Sequence, residues 1–181
     1  MNFPDSLSLT PAFLSIGANV GNKIANIALA IRRLGATEGI FIEALSKFYK
    51  TAPQNYTDQS WFVNAAIKIQ TTCSPKQLLD VLQTIEKEQN PNGKPFRFGP
   101  RKIDLDIVFY GQRVINTATL VIPHPRMHDR AFVLKPLCDI DRNLVHPLNG
   151  LTVGELFEQI KIDDSQAVIA LAKEETREIF Y

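Results

Sequence analysis

The sequence predicts an α+β fold: a ferredoxin-like β-α-β-β-α-β core with an antiparallel sheet, followed by additional C-terminal helices. Three observations carry this. Runs of β-branched and aromatic residues give way to helical i, i+3, i+4 apolar spacing in the order strand, helix, strand, strand, helix, strand. Gly35 closes the first helical pattern, and Ser74-Pro75 and the breaker cluster Asn90–Pro95 bracket the second. The second and third strands are joined without a helical pattern, which makes the split unit whose helices cover one face of an antiparallel sheet.

Ala12–Ile16 reads as a short buried strand and Gly17–Gly21 as a turn. Ile24, Ile27, Ala28, Ile31 and Leu34 form the stripe of the first helix. Ile40–Tyr49 reads as the second strand, residues 52–60 as a loop, and Trp61–Thr71 as the third strand. In the second helix Ser74 is an N-cap and Pro75 occupies the first position, where its missing N–H costs nothing; Leu78, Leu79, Leu82 and Ile85 supply the apolar face to about Gln89. Ile103–Tyr110 is the fourth strand. Residues 119–126 read as irregular, and Asp129–Leu137 and Val153–Ile160 as helices. Residues 1–160 are expected to form one catalytic domain and residues 161–181 an extension, strand-like at Ala167–Leu171, to which no function attaches.

At 181 residues, 45% hydrophobic, the chain can build one real core. A net charge of +1 leaves no broad basic field, which argues against nucleic acid as a partner, so any anion site must be local. Cys73 and Cys138 stand in no metal-ligand spacing and suit a reducing compartment. The start of the chain lacks a basic, apolar leader, and no apolar run reaches the roughly 18–20 residues of a membrane span. The expectation is a soluble, cytoplasmic monomer.

The most informative stretch is Arg97-Phe98-Gly99-Pro100-Arg101-Lys102-Ile103-Asp104-Leu105-Asp106. It sets three cations beside two carboxylates at the edge of a strand. With a side-chain period of two, Asp104 and Asp106 share a face, their Cα atoms roughly 6.5–7 Å apart. Two like charges this close call for a cation, and Mg²⁺ takes one or two carboxylates, completing its shell with water and phosphate oxygens. Arg97 and Arg101 offer guanidinium forks to phosphate. The alternative is a solvated face whose aspartates pair with Arg97, Arg101 or Lys102. No Walker A loop is present, since Gly93-Lys94 is followed by Pro95. His124 and His128 are four apart, but Pro125 argues against one helix presenting both to zinc.

R-F-G-P-R-K-I-D-L-D, with F-V-N at Phe62–Asn64 before it and V-I-P-H-P-R at Val121–Arg126 after it, resembles the 6-hydroxymethyl-7,8-dihydropterin pyrophosphokinases (HPPK) of folate biosynthesis. The likeness runs from about Phe13 to Ile160. It implies ATP as co-substrate, two Mg²⁺ ions on Asp104 and Asp106, and transfer of pyrophosphate to the pterin alcohol with release of AMP. It places Arg97, Arg101, His124 and Arg130 at the phosphates, Gln83, Glu86 and Ile107 on the nucleotide side, and Asp106 as a candidate for the hydroxyl proton. Phe62, Phe98 and Phe132 correspond to the family's aromatic walls for the flat pterin ring. Asn64 corresponds to the amide at the ring edge, and Thr51, Ala52 and Gln54 to the loop that completes that contact.

The chain departs from this pattern where many relatives carry loop arginines: here stand Pro91 and Gly93. Phe98 replaces a common tryptophan and Phe62 a common tyrosine, so stacking survives while the polar handles do not. The segment Asn90–Phe96 is expected to act as a lid. Two other readings are a ferredoxin-like RNA-binding module, which lacks its basic face, and a two-metal phosphohydrolase using water in place of the pterin.

Overall fold

The structure, a computed structural model, describes residues 8–91, 93, 96 and 99–179, with backbone alone for 177–179. Strand β1 (Thr10–Ala18) lies between β4 (Phe62–Thr71) and β5 (Asp104–Tyr110) and is antiparallel to both. The far side of β4 is shared end to end by β2 (Ile40–Leu45) and β3 (Tyr49–Thr51). The core order, β5-β1-β4 with β2 and β3 on the far side of β4, is that of the split unit.

Helices α1 (Lys23–Gly35) and α2 (Pro75–Gln89) cover one face. Side chains with a period of two on the strands (Leu14 and Ile16, Ala65 and Ile67, Leu105 and Ile107) meet Ile27, Leu34, Leu78, Leu82 and Ile85 there. Leu34, Leu78 and Leu82 are completely buried, each contributing roughly 1.5–3 kcal/mol relative to exposure. Both α1 and α2 start as the sequence requires: Asn22 accepts from the Ala25 N–H, and Ser74 and Gln77 form a reciprocal capping box.

Four elements differ from expectation. Strand β1 runs on through Gly17 to Ala18, because Gly17 pairs across β1 with Asn64 and Asp104 instead of turning. The single strand expected over Ile40–Tyr49 breaks at Ser46. The Ser46 N–H donates to the Ala66 carbonyl at 3.0 Å, while its hydroxyl oxygen accepts the Ala66 N–H at 2.8 Å, so a side chain stands in for a ladder acceptor. Helices cover both faces of the sheet, not one: α3 (Ala131–Asp141) and α4 (Val153–Gln159) pack Leu134, Leu137, Val153 and Leu156 against Phe13, Ala66 and Phe109 on the opposite side. Helix α3 begins two residues later than expected and runs to Asp141, through Pro136.

Beyond β5, β6 (Ile115–Asn116) and β7 (Val121–Ile122) form a small hairpin, so the stretch read as irregular at 119–126 opens with a short strand, and the Ile122–Pro123 peptide is cis. The strand-like C-terminal run is a strand, β8 (Val168–Ala170), which extends the main sheet by pairing with β3. Both cysteines are free thiols. Buried His146 sits edge-on to Phe109 at 5.7 Å, a packing role. Among the described residues no helix is long and apolar enough to cross a membrane.

Candidate active site

Helices α1 and α2 leave the other face of the sheet to be shared between α3 and a cleft. Across the floor of that cleft the strand register lines up Asn64 of β4, Gly17 of β1 and Asp104 of β5, with Ser15 opposite Asp106 in the adjoining row. A cleft of about 560 Å³, counted to its mouth, is lined by this floor together with Thr51, Ala52, Gln54, Asn55, Gln59, Phe62, Arg101, Arg130 and Phe132. It thus gathers ten residues singled out from sequence, drawn from four separate stretches of chain. The two aspartates do share one face, as the period of two requires.

Buried Asn64 donates from Nδ2 to the Thr51 hydroxyl at 2.6 Å. Its Oδ1 lies over Gly17, where an added Cβ would stand only 2.2 Å away. Gly17 is therefore the one residue in this row that lets the carboxamide lie flat on the sheet. On either side stand aromatic faces already engaged by cations: the Arg101 guanidinium carbon is 5.1 Å from the Phe62 ring centre, and that of Arg130 is 5.4 Å from Phe132.

Arg101 also donates to Asp104 Oδ2 at 2.7 Å and to the Gly99 carbonyl at 3.1 Å. The pairing of a motif arginine with a motif aspartate is thus real, but it does not satisfy the site. Among the described residues the buried Nε of Arg101 and that of Arg130 have no hydrogen-bond partner. Burial, together with the neighbouring Arg126, lowers the Arg130 pKa, the electrostatic cost of holding a cation in a partly desolvated wall. Two orphaned guanidinium donors facing two carboxylates are suited to an anion that arrives with its own cations.

Asn19 was not singled out from sequence, yet it builds this corner. It is buried, exchanges backbone and side-chain bonds with Arg101 (Asn19 N–H to the Arg101 carbonyl, 3.1 Å; Arg101 N–H to Asn19 Oδ1, 2.8 Å), and donates from Nδ2 to Gln59 Oε1 at 2.8 Å. One amide therefore ties the arginine of β5's entry to the loop before β4. Asn90, the C-cap of α2, holds the same entry from the other side by donating to the Ile103 carbonyl at 3.0 Å and accepting the Lys102 N–H at 2.8 Å.

A second cleft adjoins the first through Asp106, which lines both; Leu79, Leu105, Ile107, residues 117–121, His124 and Pro125 complete it. The His124 N–H donates to the Val108 carbonyl at 3.0 Å, and its Nδ1 accepts the Arg126 N–H at 3.2 Å, which leaves Nε2 protonated in the neutral ring. Burial, and then Arg130, push the imidazole down to about 4. His124 is accordingly a neutral hydrogen-bond donor at pH 7.

Gln83 is exposed on α2, one turn beyond Leu79, and lines neither cleft. Glu86 accepts the Leu105 N–H at 2.7 Å, anchoring the start of β5. Arg97 and Phe98, and Asn92, Lys94 and Pro95 of the expected lid, lie outside the described residues. Phe96 meets Tyr56 edge-on at 4.9 Å. His128 lines a different surface groove from His124. Among the described residues no three His, Cys, Asp or Glu side chains cluster as an all-protein metal cage. Two adjacent carboxylates at the junction of two clefts nonetheless fit Mg²⁺, whose remaining ligands are water and substrate oxygens.

The model of the 7,8-dihydro-6-hydroxymethylpterin-pyrophosphokinase (HPPK) family matches residues 13–142. The chain is 45% identical over 165 residues to the folic acid synthesis protein fol1 of Pneumocystis carinii, covering 91% of this chain but 22% of that much longer protein. It is 41% identical to the 2-amino-4-hydroxy-6-hydroxymethyldihydropteridine pyrophosphokinase of Methylorubrum extorquens, covering 84% of this chain and 94% of that one. The Haemophilus influenzae enzyme of the same name is 38% identical, with 82% and 91% covered. Among solved structures, wild-type Plasmodium falciparum HPPK-DHPS superposes with a TM-score of 0.66 at 15% identity, over 86% of this chain and 45% of that one, a likeness of fold. With a matching family model over most of its length and two relatives that it spans almost end to end, the chain belongs to the 7,8-dihydro-6-hydroxymethylpterin-pyrophosphokinase family.

Proposed function

We propose that the chain transfers pyrophosphate from ATP to the hydroxyl of 6-hydroxymethyl-7,8-dihydropterin, giving the pterin diphosphate and AMP. The observation that carries this reading is the pair of clefts that meet at Asp106. The first has the character of a pterin slot: phenyl walls at Phe62 and Phe132, with the Asn64 amide, Thr51 and the Ala52–Gln54 backbone at its polar edge. The second, lined by apolar Leu79, Leu105 and Ile107 beside a polar loop, suits the nucleoside. Gln83 lies on the same helix as Leu79, and Glu86 supports the wall through Leu105. The triphosphate then spans the junction.

In the reaction the pterin hydroxyl oxygen attacks the β-phosphorus, the bond from that phosphorus to the α,β-bridging oxygen breaks, and AMP leaves with that oxygen. Asp104 and Asp106 would hold Mg²⁺ at this point, where the ions supply charge neutralisation on attacking and leaving oxygens. Arg101 and Arg130, held beside the phenyl rings of Phe62 and Phe132, bring the Nε donors that the described residues leave unused. Arg97 is assigned beside them from the motif, as Phe98 is beside the ring. His124 donates a neutral hydrogen bond from Nε2 to a phosphate oxygen, which supports charge without titrating near pH 7. Asp106, common to both clefts, is the group assigned to take the hydroxyl proton.

Mixing the protein with ATP, Mg²⁺ and the dihydropterin alcohol tests the proposal. AMP and pterin diphosphate are expected, only when all components are present. ADP as the main product excludes it, and phosphate or pyrophosphate released without the alcohol would point to hydrolysis instead.

A further inference from the structure

The C-terminal segment beyond the matched family region holds a side chain wired to both walls of the pterin cleft. Asp163 caps a short 3-10 turn, Asp164–Gln166, by accepting the Ser165 and Gln166 N–H groups at 2.9 and 3.2 Å. The turn delivers the Gln166 carboxamide between two elements far apart in sequence. Its Oε1 accepts from Gln54 Nε2 at 2.7 Å and from the Ala131 N–H at 3.1 Å, and its Nε2 donates to the Asp129 carbonyl at 2.9 Å. The next residue, Ala167, accepts the Ala52 N–H at 3.2 Å, and β8 then runs along β3 with Val168 opposite Thr51.

From these bonds we infer that Gln166 is a positioning residue for the pterin, and that residues 163–170 are part of the substrate site. The inference rests on the function proposed above. The Ala131 N–H is among the first of α3, where no intrahelical acceptor exists and no side-chain cap is made by Arg130. Gln166 supplies that missing cap. It thereby sets the point at which Arg130 and Phe132 leave the helix, while its bond to Gln54 fixes the loop carrying the slot's polar edge. One planar amide with both ends used can hold two walls at a defined separation, which an exposed hydrophobic contact cannot do. Strand β3 has only three residues, and β8 supplies the ladder on its far side that holds Thr51, paired with Phe62 in β4, where its hydroxyl accepts from Asn64.

The test compares the wild-type chain with Gln166→Ala and the isosteric Gln166→Glu, which keeps the shape and both accepted bonds but sets a carboxylate oxygen against the Asp129 carbonyl. Dissociation constants for the pterin alcohol and for a non-hydrolysable ATP analogue are measured by calorimetry, with kcat and KM for both substrates. In both variants the pterin dissociation constant and KM should rise, about tenfold for Gln166→Glu, which loses the one donated bond, and at least as much for Gln166→Ala, which loses all three. Nucleotide affinity should fall by less than pterin affinity, since Gln166 touches the nucleotide side only through Arg130, and the thermal midpoint should stay close to wild type. Unchanged pterin affinity in both variants, or equal losses for pterin and nucleotide, overturns the inference while wild-type turnover leaves the proposed function standing. Failure of the wild-type chain to bind the pterin overturns both.

Discussion

Replacing Gly17 by alanine puts one methyl group into the floor of the site. That carbon would stand 2.2 Å from Asn64 Oδ1 and 3.3 Å from its Cγ, with the Val63 carbonyl oxygen at 3.8 Å. The first distance is far inside contact, so the carboxamide must rotate off the sheet. Two effects oppose each other. Removing a strand glycine gains about 0.4–1 kcal/mol through the unfolded chain. Overpacking costs about 1–3 kcal/mol, and breaking the 2.6 Å bond to Thr51 leaves a buried amide and hydroxyl short of a partner at about 1–3 kcal/mol. The clash wins, and a net loss of about 1–6 kcal/mol is expected in urea unfolding. Because the displaced group is the proposed ring-edge contact, pterin affinity should fall by about ten- to a hundredfold while ATP-analogue affinity holds. Asn64→Ala removes the obstruction, so Gly17→Ala in that background should cost little more. A single Gly17→Ala variant with wild-type pterin affinity, or full additivity with Asn64→Ala, would refute the argument.

Asp104→Asn and Asp106→Asn should each cut AMP formation by orders of magnitude with near-normal thermal midpoints, and EDTA should abolish it in wild type, since an amide keeps the volume but not the charge that Mg²⁺ needs; near-normal rates at limiting Mg²⁺ would return these aspartates to a solvated-face role. Phe132→Ala and Asn64→Ala should weaken the pterin more than ATP, by about 0.5–1.5 kcal/mol beyond area for the ring and about 1–3 kcal/mol for the amide, and equal losses for both ligands would signal a folding defect. His124 has its folded pKa near 4 against an unfolded 6.5, so the unfolded chain binds more protons between those values. Its contribution is therefore fully present above about pH 6.5 and is lost as pH falls towards 4, at most about 3 kcal/mol from the linkage relation. Urea midpoints of wild type should drop over that window relative to His124→Asn, and parallel curves would contradict the buried, neutral imidazole.

Several parts of this site were legible before any fold. The placement of Asp104 and Asp106 on one face follows from strand period alone, and Asn64 declared itself as an amide in an apolar run. Apolar spacing located α1 and cap chemistry located α2, because Ser74-Pro75 act within one turn. These are local features, decided by residues within four or five positions of one another. The misreadings share the opposite character. Gly17 reads as a turn in isolation and becomes a strand residue only because Asn64 and Asp104 flank it across two ladders. The break at Ser46 depends on Ala66, and the second layer formed by α3 and α4 depends on which sheet face remained open.

The sequence by itself determined the periods, caps and carboxylate pair, and the family pattern that named the chemistry. Tertiary structure alone decided how those parts meet. Asn19 reaches Gln59 over 40 residues, Arg101 reaches back to Asn19 over 82, and Gln54 finds Gln166 over 112. Polar side chains such as these leave no periodic trace, since each is specified by the distant backbone it satisfies and not by its neighbours in the chain. The geometry that joins a pterin wall to a phosphate wall is therefore a property of strand register and burial, which arise only when the whole sheet has closed.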